Sequence, residues 1–405
     1  MLIKKAFKFR IYPNKEQQAR LAVQFGHARF VYNWGLALRK SHYQETGQGL
    51  SAFDCNTRLT ELKRQPETAW LREADSQVLQ QKLQDLNSAY VNFFEKRAGY
   101  PSFKSKKSKQ SIRYPQRFKV NGNRVYLPKV GWVKGVFHRP IEGEMKNCTV
   151  TRTKSGKYYV SIQCEVEIDE PACAGEVVGI DLGLVDFATL SNSALSDASE
   201  AIPNPRYLRK SEKRLKRLQR RLSRCERGSK GYEKVRLLLA RQHEKVANQR
   251  KDFQHKQSKS LVVEYGLLCF ENLNVAGMLK NHRVAKSIAD AGWGTFVRQC
   301  EYKGEWYGCG IQKVGRFFPS SKLCSACGEV HQNLKLSERK WICVGCGTIH
   351  HRDHNAAINI LLEGLRLVSA STVGATGTDA GGERVRPELV SPTQAVSVKP
   401  KAKSF

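Results

Sequence analysis

Residues 320–362 read SSKLCSACGEVHQNLKLSERKWICVGCGTIHHRDHNAAINILL, and they hold two Cys-x-x-Cys pairs with fifteen residues between them. The four cysteines are Cys324, Cys327, Cys343 and Cys346. A Cys-x-x-Cys turn lets two thiolates reach one ion, and four thiolates complete a tetrahedral shell with no open position. The spacing therefore predicts a structural zinc ribbon; unligated cysteines or a redox pair of the thioredoxin type are the alternatives. A ribbon this small has little core of its own, so we expect it to hold the neighbouring segment that carries Asp353.

The composition is strongly basic. The 405 residues include 69 Lys and Arg against 37 Asp and Glu, which gives a formal net charge of +32 at pH 7. An excess of this size indicates a polyanionic partner, and nucleic acid is favoured because no amphipathic membrane anchor stands out. A basic protein of the ribosomal or histone kind is the alternative. The length suggests two or three domains, and mixed helix and strand patterns argue against a disordered basic chain.

The remaining cysteines and the chain start indicate a reducing compartment. Eight cysteines are scattered, several of them in apolar runs: Cys55, Cys148, Cys164, Cys173, Cys225, Cys269, Cys300 and Cys309. Buried free thiols have this distribution in proteins that are not secreted. The N-terminal residues contain no apolar leader, and no run of 18 apolar residues could span a membrane. We therefore expect a cytoplasmic protein.

The first 170 residues combine strand and helix patterns. Residues 6–12 alternate apolar and basic side chains, which predicts a strand with one exposed face. Helical spacing over residues 14–99, broken near Pro66, predicts an inserted helical bundle. Short strand patterns follow through Glu165, with a hairpin at residues 154–157. Together these patterns predict one small β-barrel interrupted by helices.

Two basic segments predict contacts with nucleic acid. Residues 100–119 contain seven Lys or Arg among four aromatic residues, a mixture in which rings stack on bases while cations meet phosphates. Residues 205–260 predict a helical hairpin, and residues 206–227 within it contain eleven Lys or Arg against two Glu. This charge favours binding along a phosphate backbone, with a solvated surface or a coiled-coil partner surface as alternatives. The candidate contacts are Lys104, Lys106, Lys107, Arg113, Arg214, Arg217 and Arg221.

Three isolated acids border short apolar elements between residues 176 and 363. Asp181 ends one apolar run, Glu271 ends a second, and Asp353 opens a helical run. A buried carboxylate is costly unless it is paired or binds a metal, although Asp181 alone could be satisfied at a strand-end turn. Two Mg²⁺ ions about 3.5–4 Å apart promote phosphodiester cleavage, and such ions prefer carboxylate oxygens. We therefore expect the three acids to converge.

Several motifs resemble the TnpB proteins of bacterial insertion sequences, which are compact relatives of the type V CRISPR effector nucleases. Four motifs surround the acids and cysteines: GIDLG at 179–183, FENLN at 270–274, SSKLCSACG at 320–328 and RDHNAA at 352–357. Four more extend the likeness over nearly the whole chain: KAFKFRIYPN at 5–14, ARFVYNWGLALRK at 28–40, LPKVGWVK at 127–134 and IADAGWGTFVRQCEYKGEWYG at 288–308. In combination these motifs are highly specific.

The resemblance implies a multidomain α+β fold. The implied parts are a wedge-like β-barrel (1–13 and 100–170), a helical recognition lobe (14–99), a RuvC nuclease domain of RNase H-like α/β fold (171–319 and 348–367) that carries the basic hairpin 205–260, and a zinc-ribbon insert that binds target nucleic acid (320–347). Residues 368–405 are rich in small and polar residues without periodicity, which predicts a disordered tail.

The resemblance also implies a function, namely transposon-associated, RNA-guided cleavage of double-stranded DNA next to a short flanking motif. A guide RNA encoded by the transposon would pair with one DNA strand, with one protein for each guide RNA. The protein would be bacterial and would be associated with the nucleoid when bound to DNA. Asp181, Glu271 and Asp353 would be the catalytic acids that bind two Mg²⁺, and the four cysteines would bind one Zn²⁺. The alternatives are a non-cleaving RNA-guided regulator and an unguided zinc-ribbon accessory factor of a transposon that binds DNA.

Two further positions matter for the resemblance. The family usually has an acid two residues before the last catalytic acid, and His351 stands there in this chain. His350, His351 and His354 are expected to be surface residues or to orient a ligand. Gln80 stands where a flanking-motif contact is expected, and glutamine can pair bidentately with adenine, although an exposed helical glutamine is usually only solvated.

Overall fold

The computed structural model describes residues 1–107, 109–169, 171, 175–192, 201–335 and 337–373. The chain forms two compact units, each built from two chain segments. The first unit contains Met1–Asp169 and Ser211–Ala247. The second contains Glu170–Lys210 and Asn248–Phe405.

A seven-stranded antiparallel sheet lies in the first unit. Its strands are β1 Leu2–Tyr12, β2 Gln110–Tyr114, β3 Lys119–Asn121, β4 Arg124–Leu127, β5 Gly131–Val136, β6 Glu144–Arg152 and β7 Tyr158–Glu167. The strand order is β2-β6-β7-β1-β5-β4-β3, so the N-terminal strand is central. The alternating pattern of residues 6–12 is confirmed, because Phe7, Phe9 and Ile11 are buried.

The predicted pairing of the N-terminal strand with the strands after residue 100 is confirmed, as is the hairpin at residues 154–157 between β6 and β7. The closed barrel is not observed among the described residues. The sheet runs from edge strand β2 to edge strand β3 and is therefore open. The alternating patterns of single strands predict the sheet but carry no information about whether its edges meet.

The helical insert is confirmed. Its helices are α1 Lys15–Thr46, α2 Ala52–Leu62, a 3-10 helix Pro66–Glu73 and α3 Ser76–Phe94. Asn14 caps α1 by accepting a hydrogen bond from the backbone N–H of Gln17, and α1 ends at Gly47, whose φ of 70° is left-handed. Leu79 and Leu83 of α3 lie in a common core with Val31 of α1.

The predicted basic hairpin is also present, as α4 Tyr207–Ser223 and α5 Lys230–Glu264. The sequence assigns it to one domain with residues 171–319, whereas by contacts residues 211–247 group with the first unit and the two ends of the hairpin with the second. Glu244 of α5 explains this grouping. Its carboxylate accepts hydrogen bonds from the Ser155 hydroxyl at 2.7 Å and from the Lys157 ammonium at 3.0 Å, both in the β6–β7 turn region.

The second unit contains a five-stranded mixed sheet in the order β10-β9-β8-β11-β12. Its strands are β8 Glu176–Asp181, β9 Asp186–Leu190, β10 Ile202–Pro203, β11 Tyr265–Phe270 and β12 Gly310–Lys313. β8, β11 and β12 run parallel, whereas β9 is antiparallel to both of its neighbours. The helices of this unit besides the hairpin are α6 Val275–Met278, α7 Ala285–Ala291, α8 Trp293–Tyr307 and α9 Arg352–Val373.

The cysteine-rich segment forms a small hairpin of β13 Lys340–Ile342 and β14 Ile349–His351. This hairpin extends the ribbon beyond the predicted boundary at residue 347. The predicted tail also begins too early, because α9 continues to Val373. Residues 368–373 contain no helix breaker, and the first one is Gly374. The rest of the predicted tail lies outside the described residues.

The scattered cysteines are mostly buried. Cys55, Cys148, Cys164, Cys269, Cys300 and Cys309 are buried free thiols, and Cys225 is half-buried. Cys173 lies outside the described residues. Within the described part of the chain, no helix is long and apolar enough to cross a membrane.

Candidate active site and metal centre

Two of the predicted acids emerge at the same edge of the second sheet. β8 ends at Asp181, and Glu271 directly follows the last residue of β11. These strands are parallel neighbours in which Ile180 is paired with Phe270. The next residue on each strand therefore lies beside its counterpart, at the carboxyl edge of the sheet. Apolar runs that each end in one acid predicted this placement.

The third acid comes from α9, which packs on β8. Gly179 makes this packing possible, because a Cβ atom at that position would lie 2.0 Å from the backbone oxygen of Ala357 and 2.7 Å from the backbone nitrogen of Leu361. The first turn of α9 carries Asp353. Close helix packing at Gly179 thus brings the start of the helix towards the edge where β8 ends.

The three carboxylates influence one another electrostatically. Burial raises the pKa of the Asp181 carboxyl to about 8, and the negative charges of Glu271 and Asp353 add to the rise. The guanidinium groups of Arg352 and Arg339 oppose it. The structure therefore brings the predicted acids into one region, where the two guanidinium groups offset only part of the rise in the pKa of Asp181 and a divalent cation would be favoured.

Each of the other two acids has its own partner from the ribbon or the segment that leads into it. One terminal nitrogen of Arg339 donates to both carboxylate oxygens of Asp353, at 2.9 and 2.7 Å. The Ser320 hydroxyl donates to Oε1 of Glu271 at 2.5 Å. Among the described residues, the ligand atoms of the acids do not all lie within 4.8 Å of one another, whereas those of the four cysteines do. Sequence analysis missed Arg339 and Ser320, because nothing local in their surroundings distinguishes them.

The four predicted cysteines meet. Among the described residues, they form the one group of three or more metal-ligating side chains whose ligand atoms all lie within 4.8 Å of one another. Sγ of Cys324 lies 3.7 Å from that of Cys346, and Sγ of Cys327 lies 3.5 Å from that of Cys343. Zn–S bonds of about 2.3 Å in a tetrahedron imply sulfur separations of about 3.8 Å. The group can therefore hold a zinc ion.

Hydrogen bonds favour a thiolate at Cys346 and a thiol at Cys327. At Cys327 the backbone N–H of Glu329 lowers the pKa of the thiol, but hydrogen bonds with Cys346 and Cys343 outweigh it and raise that pKa to about 12. The hydroxyl and the backbone N–H of Thr348 lower the pKa of the Cys346 thiol to about 6.

Nε2 of His350 lies 2.9 Å from Sγ of Cys324, and the buried His350 ring packs on Trp341. His350 thus contacts a cysteine of the group. His351, at the position of the family acid, is exposed at the end of β14.

Two buried asparagines of α9 attach the ribbon to the helix that carries Asp353. The Asn355 amide donates to the backbone oxygen of Leu323 at 2.7 Å and accepts from the backbone N–H of Ser325 at 3.0 Å. The Asn359 amide donates to the oxygens of Ser320 and Leu323, at 2.8 and 2.6 Å. Both side chains are 1% exposed. Their spacing of four residues on an otherwise apolar helix face was the sequence signal that could have revealed them.

The candidate nucleic-acid contacts lie in the first unit, whereas the acids and cysteines lie in the second. Gln80 is exposed on α3, and Arg214, Arg217 and Arg221 are exposed on α4. Lys104, Lys106 and Lys107 are also exposed. Arg113 forms an ion pair with Asp85 at 3.3 Å, so part of its charge is already balanced.

One of the aromatic residues expected to stack on bases does not serve that purpose. Tyr114 is 0% exposed, and its hydroxyl donates to Oε1 of Gln24 at 2.9 Å. Tyr100 and Phe103 are 51% and 60% exposed and remain available for stacking. Alternation along β2 places Tyr114 on the core face, which a count of basic and aromatic residues does not reveal.

Three family models match the chain, by their descriptions "Helix-turn-helix domain" over residues 1–48, "Probable transposase" over residues 161–282 and "Cas12f1-like, TNB domain" over residues 293–360. The residues matched by the first model form β1 and a single continuous helix in this structure. The second and third models cover the regions that contribute Asp181, Glu271, Asp353 and the four cysteines.

Curated relatives match over nearly their full length. A "Putative RNA-guided DNA endonuclease" of Streptomyces pristinaespiralis is 39% identical over 394 residues, which is 96% of this chain and 94% of the relative. "Putative RNA-guided DNA endonuclease InsQ" of Escherichia coli (strain K12) is 32% identical over 409 residues, with 96% and 98% covered.

Among solved structures, the protein of a Cas12f1–sgRNA–target DNA complex matches with a TM-score of 0.56 at 16% identity, over 89% of this chain and 98% of that one. At this identity the match concerns the fold alone, and the fold is that of the compact type V effectors. The matches to curated relatives are much closer in sequence, and they establish the family. The chain belongs to the TnpB family, as the sequence motifs predicted.

Proposed function

We propose that the protein is a transposon-associated, RNA-guided endonuclease that cuts double-stranded DNA next to a short flanking motif. The observation that carries the proposal is geometric: Asp181 and Glu271 follow paired residues of neighbouring parallel strands, and α9, which carries Asp353 in its first turn, packs on the strand that ends at Asp181. Relatives that match over nearly their whole length are named as RNA-guided DNA endonucleases. The mixed sheet with these acids at its edge is assigned as the RuvC nuclease domain.

Two Mg²⁺ ions are proposed to be held by the three acids, and such ions supply an activated water and stabilise the leaving oxygen. The acids fit these ions because carboxylate oxygens are their preferred ligands. Asp181 must lose a proton before it can act as a ligand, since its pKa lies near 8. Asp353 must exchange part of its ion pair with Arg339.

One Zn²⁺ is proposed to be bound by Cys324, Cys327, Cys343 and Cys346, which makes residues 320–351 a zinc ribbon. The asparagine hydrogen bonds give the ribbon a definite task. They attach the segment around its first Cys-x-x-Cys pair to α9. Ser320 and Arg339 in turn donate hydrogen bonds to Glu271 and Asp353. A folded ribbon would therefore set the positions of Glu271 and Asp353.

The nucleic-acid partners are proposed to be a guide RNA encoded by the transposon and a double-stranded DNA target, with one protein for each guide RNA. The first unit offers the surfaces for them. Its sheet is assigned as the wedge domain and its helices as the recognition lobe. Arg214, Arg217 and Arg221 form an exposed strip on α4, and no described acidic group lies within 4 Å of them.

The test uses the full chain purified with the RNA that accompanies it, which is sequenced to define the guide. The wild-type complex should cut a duplex that contains the guide-matched sequence and a flanking motif. Asp181→Asn should lower the cutting rate at least about a hundredfold while leaving DNA affinity within about twofold. Asp186→Asn, the same change on neighbouring β9, is the matched control and should cut normally.

Each alternative predicts a different result. Binding of guide-matched DNA without cutting by the wild type would favour the regulator. DNA binding that needs no RNA would favour the unguided accessory factor. Cutting by Asp181→Asn at the wild-type rate would contradict the site assignment.

A further inference from the structure

A basic cavity of about 430 Å³ lies in the first unit, and none of its lining residues is a candidate catalytic or zinc ligand. Its wall is contributed by several separate chain segments, namely α2 and its C-terminal turn, the 3-10 helix, the start of α3, the β2–β3 loop and the β4–β5 turn. The lining residues with side-chain charge are Lys63, Arg64, Arg72, Asp75, Arg117 and Lys129. Five of these six are cations.

The positive charge of the cavity is not balanced by the protein. Among the described residues, no carboxylate oxygen lies within 4.0 Å of a side-chain nitrogen of the five cations. The one acid in the wall, Asp75, is buried, and its Oδ1 already caps α3 by accepting from the backbone N–H groups of Gln77 and Val78. The cations therefore face solvent without a counter-charge.

Two of the cations occupy backbone positions that suit glycine better. Arg117 and Lys129 both have a φ of 63°, and both line this cavity. The described chain has only two other non-glycine residues with positive φ, Lys96 and Arg206. A left-handed conformation costs a residue with a side chain about 1–2 kcal/mol, which glycine avoids. Glycine can therefore replace either cation without a change of backbone conformation, which separates the role of the charge from that of the fold.

The composition of the wall selects the ligand chemistry. The uncharged lining residues are Thr60, Leu71, Ala74 and Ser76, so the wall contains no aromatic ring on which a base could stack. Guanidinium and ammonium groups without competing acids are suited to the oxygens of a phosphate. Ser76 and Thr60 add hydroxyl donors.

We propose that this cavity binds a phosphodiester group of a nucleic-acid backbone, in either the guide RNA or the target DNA. The proposal rests on the proposed function, since it deepens how that nucleic acid is held. Ser76 in the wall begins an exposed stripe of α3 that continues through Gln80 and Gln84, one turn apart. A phosphate held in the cavity would fix the register of a strand beside this stripe, where Gln80 could contact a base edge.

The test replaces the two strained cations together, as Arg117→Gly and Lys129→Gly. Glycine accepts the same backbone angle, so the thermal midpoint should stay the same or rise, and a loss of binding cannot be attributed to misfolding. Lys96→Gly is the control, because it also replaces a lysine at a positive φ by glycine. Lys96 is an exposed lysine with a φ of 57° that lies outside the cavity.

Affinity is measured from 50 to 300 mM salt in two arms, with guide RNA on the free protein and with target duplex on the guide-loaded complex. The double variant should bind about tenfold more weakly in one arm, with a slope of log affinity against log salt that is shallower by about one to two. Lys96→Gly should match the wild type. The arm that responds identifies whether the phosphate belongs to RNA or DNA.

Equal affinities and equal salt slopes for the double variant and the wild type, in both arms, would overturn the cavity proposal even if the wild-type complex cuts DNA. A wild-type complex that binds its target without cutting it would instead overturn the cleavage proposal and leave the affinity comparison valid. The two proposals therefore fail separately.

Discussion

The cysteine group and the acid group are both candidate metal centres, but their ligand atoms are arranged and ionised for metal binding to very different degrees. The four sulfurs lie within 4.8 Å of one another before any ion is added, and two hydrogen bonds already lower the pKa of Cys346. The acids come from positions 181, 271 and 353. One of them has a pKa near 8, and another is engaged by a guanidinium group.

This difference corresponds to the difference between a structural and a catalytic centre. A structural zinc site is closed and complete, whereas a catalytic site keeps open positions and retains unfavourable electrostatics that its ions relieve. The two centres are also connected. Asn355 and Asn359 of α9 donate hydrogen bonds to the backbone oxygen of Leu323, beside the first cysteine pair. The cysteine group therefore helps to hold α9, the helix that carries Asp353.

The largest expected effect follows from breaking the cysteine group. Cys324→Ser should release the zinc and unfold residues 320–351, because zinc binding contributes on the order of 10 kcal/mol to folding such a segment. Ser320, Leu323 and Arg339 would then lose their places against the acids and α9. We expect DNA cutting to fall at least about a hundredfold, measured beside zinc content by elemental mass spectrometry.

Cys225→Ser is the control for this experiment, since Cys225 is a half-buried cysteine outside the group. It should retain zinc and cut normally. If Cys324→Ser lost its zinc and still cut DNA at the wild-type rate, the acids would not depend on the ribbon, and the connection between the two centres would be refuted.

The sequence predicted each part of the two centres that depends on local pattern. Cysteine spacing identified the ribbon, and apolar runs ending in single acids identified the strand ends at Asp181 and Glu271. The ion pair of Arg339, the asparagine hydrogen bonds and the contact at Gly179 join residues far apart in the chain, and periodicity carries no such information. The grouping of residues 211–247 with the first unit was missed for the same reason, because it depends on contacts around Glu244.

A smaller but still large effect is expected at Gly179, where α9, the helix that carries Asp353, packs closely on β8. In Gly179→Ala the new methyl group would lie 2.0 Å from a backbone oxygen of α9, and backbone cannot move aside as a side chain can. The substitution should lower stability by roughly 2–4 kcal/mol and separate Asp353 from Asp181. Thermal unfolding of the full chain and the Mg²⁺ concentration needed for half-maximal cutting measure the two consequences.

Gly294→Ala is the matched control for the packing argument. Gly294 lies in α8, and a Cβ atom there would meet nothing within 4 Å. This change should raise helix stability by up to about 1 kcal/mol and leave the Mg²⁺ requirement unaltered. If Gly179→Ala were as stable as the wild type and needed no more Mg²⁺, close packing of α9 on β8 would not be what places Asp353.

The effect that is smallest per step, on the order of 1 kcal/mol for each pH unit, concerns the proton on Asp181 and tests how well the acid site is arranged for a metal. Its pKa is about 8 in the folded protein, against roughly 4 in an unfolded chain, so between these values the folded protein binds a proton that the unfolded chain does not. The stability of the zinc-bound, Mg²⁺-free protein should therefore fall as pH rises from about 5 to 8, by on the order of 1 kcal/mol per pH unit. Asp181→Asn cannot carry this charge, and it should lose that part of the pH dependence.

The measurement is the difference in thermal midpoint between the two proteins at a series of pH values, which removes the contribution of all other titrating groups. A difference that grows in favour of Asp181→Asn with rising pH is expected, and saturating Mg²⁺ should shrink it because the ions replace the proton. A constant difference across this range would show that Asp181 is ionised throughout, and that the acid site is as well prepared as the cysteine group.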